Sequence, residues 1–157
     1  MESQILNIMF KTTKIFGLIL MALAIAFASC SDDENTTTPP EIYEFSAGSH
    51  DHSTNEIQRG GEVIVDFKTR SLNDGRLHAY HIEIHDHPAS GNSDDEFILI
   101  DELFDNNPTF RGTRNASVHK HIAVPVDAPL GEYHVEVVVI DEFGNSSEVD
   151  TLIFIVE

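Results

Sequence analysis

Tryptophan is absent from this chain, cysteine occurs once, at position 30, and no methionine follows position 21. Each absence excludes something. A lone thiol cannot form an intramolecular disulfide, so the fold rests on an apolar core. With Met1, Met9 and Met21 all near the N-terminus, the body of the protein has no thioether ligands for copper(I). Sugars usually stack on exposed tryptophan or tyrosine; there is no tryptophan, and two of the three tyrosines, Tyr80 and Tyr133, fall on predicted core faces. Bases are scarce as well: nine Lys and Arg stand against 27 Asp and Glu, a formal net charge of −18. Beyond residue 29 the count is 26 acids against 7 bases. Such a surface repels nucleic acid and anionic headgroups and draws cations.

Signatures of catalysis are missing too. Gly60-Gly61 is a turn and not a phosphate cradle, and Ser46, Ser49, Ser53 and Ser90 sit in no nucleophile elbow. Asp94-Asp95-Glu96 lacks the glycine-punctuated spacing of a calcium loop. Carboxylates are plentiful, but a small β-domain without a deep cleft offers little desolvation to tune them. A binding protein is expected, not an enzyme.

The one long apolar run, Ile15 to Ala28, is too short to span a bilayer and follows Lys11 and Lys14, so it reads as a secretion signal. Phe27-Ala28-Ser29-Cys30 resembles a bacterial lipobox, which implies lipidation of Cys30 as the new N-terminus. The following Ser31-Asp32-Asp33-Glu34 resembles the acidic tag that Bacteroidetes lipoproteins carry for display on the outer face of the outer membrane; the periplasmic face is the alternative. Residues 31–40 contain no apolar side chain except prolines and predict a flexible acidic and Thr-Pro linker. The organisation expected is a signal over 1–29, an acylated cysteine and linker over 30–40, and one domain over 41–157.

Within that domain short alternating runs are separated by turn residues, and no window sustains a helical period. Strands are predicted over 42–45, 62–67, 78–85, 97–104, 118–124, 133–140 and 149–156. In the second, Val63, Val65 and Phe67 share an apolar face and the other face is polar; in the third, Tyr80, Ile82 and Ile84 face in while His81, Glu83 and His85 face out. About seven strands at this spacing predict an all-β, immunoglobulin-like antiparallel β-sandwich. The stretch Val124 to Tyr133, the alternation Val135, Val137, Val139 and the turn Asp141-Glu142-Phe143-Gly144-Asn145 resemble the closing half of bacterial immunoglobulin-like and cadherin-like modules. That resemblance implies a Tyr133 hydroxyl bonded to nearby backbone, a positive φ at Gly144 and a turn-closing Asp141. As a whole the chain resembles an uncharacterised Bacteroidetes lipoprotein family, a domain of unknown function.

All nine histidines follow residue 49: His50, His52, His78, His81, His85, His87, His119, His121 and His134. Residues i and i+2 of a strand share a face about 7 Å apart, and the neighbouring strand lies about 4.8 Å away. A His-x-His plus one ligand from next door can therefore close around one ion. In an immunoglobulin-like sandwich the third and sixth predicted strands are antiparallel neighbours, bringing His81, Glu83 and His85 beside His134 and Glu136. If His134 falls opposite His85, Glu136 falls opposite Glu83, a repulsion that a cation would relieve. His119-x-His121 is the other candidate, and a separate one if its strand lies in the opposite sheet. Imidazole with carboxylate fits Zn²⁺, Cu²⁺ or Ni²⁺ better than Ca²⁺ or Mg²⁺. Exposed strands also tolerate histidine as a solubilising residue, so the pattern alone leaves both readings open.

The sequence thus leads to an outer-membrane-anchored binding lipoprotein that captures a divalent transition metal, with an outer-membrane transporter as partner and no nucleic acid. The alternative is a non-catalytic accessory or adhesion module that binds protein or glycan in a nutrient-uptake assembly.

Overall fold

The computed structural model describes residues 36–157; the signal segment, Cys30 and the acidic run after it lie outside the described residues. Eight strands follow one another: β1 (Glu41–Gly48), β2 (Glu56–Gln58), β3 (Glu62–Arg70), β4 (Leu77–Asp86), β5 (Ile98–Phe104), β6 (Asn115–Ala123), β7 (Gly131–Asp141) and β8 (Ser146–Val156). The helical content of the described residues is one short 3₁₀ turn, Ser93–Asp95. The strands form two sheets, β1-β3-β6 and β2-β8-β7-β4-β5. With β4 against β7 and β3 against β6, this is the expected immunoglobulin-like sandwich.

Alternation builds the core. Val63, Val65 and Phe67 from one sheet meet Tyr80, Ile82, Ile84, Val135, Val137 and Val139 from the other, all buried. Tyr80 stacks on Phe104 at 4.7 Å between ring centres and touches Phe110 at 4.8 Å. One expectation needs correcting: the second face of β3 is not wholly polar, because Ile64 is fully buried there, level with Gly48 of β1. The eighth strand, β2, is a three-residue segment pairing parallel with β8, and its single inward side chain, Ile57, is too little to show a period.

Strand β7 carries the implied tyrosine bond at its start and the implied turn after its end. Tyr133 Oη donates to Pro129 O at 3.0 Å. Gly144 has φ +84°, and Asp141 accepts from the amides of Phe143 at 2.9 Å and Asn145 at 2.8 Å. Residues 36–40, expected as free linker, are strapped to this end of the sandwich. Thr36 O accepts from Asn145 Nδ2 at 2.7 Å, Thr38 O from Asn73 Nδ2 at 2.9 Å, and Pro40 O from the Ser147 hydroxyl. Backbone carbonyls captured by distant polar side chains leave no local signature in composition.

Candidate metal centre

On the three-stranded sheet, β3 and β6 pair in a register that sets Asp66 directly opposite His119 and Ile64 opposite His121. Asp66 Oδ1 accepts from His119 Nδ1 at 2.6 Å, and Glu62 Oε2 accepts from His121 Nδ1 at 2.9 Å. A carboxylate can only accept, so both imidazoles carry their proton on Nδ1. Their Nε2 atoms then face each other at 3.0 Å, a hydrogen-bonding separation. Two facing lone pairs repel unless one proton or one cation lies between them.

A carboxylate behind the outer nitrogen is how metal-binding histidines are oriented, since it fixes the tautomer and raises the basicity of the inner nitrogen. Two nitrogens on one tetrahedral zinc stand about 3.3 Å apart, close to the separation found here. His50 completes the group: ligand atoms of His50, His119 and His121 all lie within 4.8 Å of one another. Its ring sits 6.0 Å from that of His119 and 5.6 Å from that of His121. The loop that delivers it is knotted around Asp51, which accepts from the Ser49 hydroxyl at 2.8 Å, the Ser53 hydroxyl at 2.7 Å and the Ser53 amide at 3.1 Å. Those bonds hold the Asp51 carboxyl down at about 2. In the same loop His52 takes a positive φ of 52° and reaches Asp66 Oδ2 at 2.7 Å, so Asp66 serves two histidines.

The five-stranded sheet answers the question of register. Glu83 lies opposite Glu136, and His85 opposite His134. His85 and His134 are joined by His87, from the loop after β4, with ligand atoms again within 4.8 Å. The group expected as His81, His85 and His134 is therefore divided. His81 turns to β5, its Nε2 2.7 Å from Asp101 Oδ1, and groups with Glu83 and Asp101. Glu136 is in none of the three groups found among the described residues. Burial raises the Glu136 carboxyl above the usual carboxylate range, helped by the charges of Glu148 and Glu83 and opposed by His134 and His81. Because β6 and β4 belong to different sheets, the two three-histidine groups occupy opposite faces of the sandwich.

Both groups lie in the half of the sandwich away from the Thr36–Pro40 strap. His121 is level, through Ile64, with Gly48 at the far end of β1, and His85 and His134 lie near the end of β4 and the start of β7.

The family model for a Domain of unknown function (DUF4625) matches residues 28–156. This chain belongs to that family. No curated protein matches the sequence. Among solved structures, a DUF4466 family protein from Parabacteroides merdae is similar over 73% of this chain and 44% of its own, at 11% identity and a TM-score of 0.49. An alkylpurine DNA glycosylase from Pseudomonas fluorescens is similar over 76% of this chain and 31% of its own, at 12% identity and a TM-score of 0.49. A Niemann-Pick type C2 protein from Japanese carpenter ant is similar over 76% of this chain and 95% of its own, at 9% identity and a TM-score of 0.48.

Sequence reasoning singled out His119 and His121 but neither of their carboxylate supports; His50-x-His52 and His85-x-His87 stand out in it as close spacings, but His50 was not joined to His119 and His121, nor His87 to His134. Asp66 and Glu62 alternate with Ile64 on the outward face of β3, so a register for β3 against β6 would have found them. His50 and His87 lie outside strands, where no period places a side chain.

Proposed function

We propose that this domain is a non-catalytic capture module for a divalent transition metal, Zn²⁺, Cu²⁺ or Ni²⁺, held by His50, His119 and His121. The single observation that carries this reading is the pair of Nε2 atoms 3.0 Å apart, each on a ring whose other nitrogen is held by a carboxylate. Three exposed imidazoles leave a fourth coordination position open, which suits an ion that is taken up and passed on. Acylation at Cys30 would anchor the module at the outer membrane, on the cell surface, with a transporter in that membrane as recipient.

The test is calorimetric titration of the untagged chain from Ser31 to Glu157 with each ion. A micromolar or tighter site that His119→Ala with His121→Ala abolishes supports the reading. Affinity no better than that of free imidazole removes it.

A second reading, an accessory module that binds protein, draws on the edge strand β5. It pairs only with β4 and exposes Ile98 and Leu103 at about half their surface (51% and 52%). Loss of a partner on Leu103→Lys, with metal affinity unchanged, would favour that reading.

A further inference from the structure

The five strands β2, β8, β7, β4 and β5 contain not one lysine or arginine. Across their outward face runs a row of four carboxylates in direct register, Asp101 on β5, Glu83 on β4, Glu136 on β7 and Asp150 on β8. Like charges placed opposite one another on neighbouring strands destabilise a sheet. The other sheet meets its acids with bases: Lys68 pairs with Glu44 at 2.5 Å and Arg70 with Glu41 at 2.5 Å. Here the side chains available to offset the row are imidazoles.

The next row along that face is His85 opposite His134, with His87 above them. The ring centres are 5.5 Å apart for His85 and His87, 5.7 Å for His85 and His134, and 5.9 Å for His87 and His134. His134 Nε2 is backed by Asp150 Oδ2 at 3.1 Å. His85 Nδ1 is buried 3.1 Å from Glu83 Oε1, yet the two are not aligned as a hydrogen bond, which leaves that nitrogen unsatisfied. The loop bearing His87 is pinned by buried Asp86, whose Oδ1 accepts from the Phe97 amide at 2.7 Å and whose amide donates to Phe97 O at 3.1 Å. The side chains of His85 and His134 are only 15% and 26% exposed, against 50% and 42% for His119 and His121, so charge on this face is less screened.

We propose that His85, His87 and His134 form a second transition-metal site, so that the domain binds two ions, one on each sheet. The three imidazoles are the ligands, and the carboxylate row supplies the negative field that draws the cation in and is relieved by it. This site shares no residue with the centre on the three-stranded sheet and stands or falls independently of it.

Equilibrium dialysis of the untagged chain from Ser31 to Glu157 against Zn²⁺ alone, with the bound metal counted, separates the cases. Two ions per chain are expected, falling to one in His85→Ala with His134→Ala, to one in His119→Ala with His121→Ala, and to none in the fourfold variant. One ion per chain, lost with His119 and His121 and untouched by His85→Ala with His134→Ala, overturns the second site and leaves the first. One ion lost only with His85 and His134 does the reverse, and no bound zinc overturns both. His87→Ala alters a loop residue outside the core and is expected to weaken the second site about tenfold or more with an unchanged melting temperature. Unchanged zinc affinity in that variant overturns its role as ligand.

Discussion

Glu83 and Glu136 stand directly opposite each other on the outward face of the five-stranded sheet. Neither has a lysine or arginine on its own strand or on the strands beside it, so the pair repels at neutral pH. Burial, then the charges of Glu148 and Glu83, raise the Glu136 carboxyl, and the native state holds that proton more tightly than the unfolded chain does. Stability therefore falls as pH rises through the interval between the usual carboxylate value and the raised one, and the cost is complete above it. Glu136→Gln is expected to stabilise the zinc-free protein at pH 7 by a few tenths to about 1 kcal/mol. Thermal unfolding in chelator at pH 4 and pH 7 checks this: the gain should shrink at the lower pH, and an equal gain at both would refute the repulsion.

Asp66 supports His119 through Nδ1 and also takes the His52 ring. In Asp66→Asn one amide face no longer accepts, so one of the two rings loses its anchor. Zinc affinity at the His50, His119, His121 centre is expected to drop about 10- to 100-fold. Calorimetry would show it, and a change of less than about twofold would mean that Asp66 does not orient the ligand.

Asp141 is 1% exposed and accepts from Asn145, Asn73 and Phe143. Burial alone would raise its carboxyl, but these hydrogen bonds outweigh that and hold it below the usual range. A lowered native value means that the stabilisation is full above the unfolded carboxylate range and is lost as pH falls through the native one. Asp141→Asn is expected to cost roughly 1.5–3 kcal/mol at pH 7, as bonds to a charged acceptor do. Urea unfolding from pH 7 downward should show wild type and variant converging; parallel curves would argue against an ionised Asp141.

The sequence was most legible where strands alternate. His78 to His85 and Tyr133 to Ile140 announced both their inward faces and their mutual pairing, and the conditional register, Glu136 against Glu83, is the one found. What stayed hidden is long-range or irregular. Glu56-Ile57-Gln58 becomes a strand only because β8 offers it a partner almost a hundred residues away. His50 and His87 reach their groups from loops, and His81 leaves His85 because β5 places Asp101 within reach.

Tyr133 Oη donates to Pro129 O, and burial, followed by the charge of Asp86, pushes that hydroxyl up to about 12. It is therefore a protonated donor throughout the pH range in which the fold is studied. Tyr133→Phe is expected to cost about 1 kcal/mol, read as a lower urea midpoint with an unchanged slope. An unchanged midpoint would show that the bond contributes nothing to stability.

Strand β8 runs away from the strap and finishes beside the histidines. Ile155 pairs with Gly131, three residues before His134, and Val156 O accepts from Arg59 at 3.1 Å while Gly60 donates to Val124 O, three residues after His121. A hexahistidine purification handle fused after Glu157 would dangle six extra imidazoles between the two faces, and the apparent metal affinity would report chelation by the handle and the domain together.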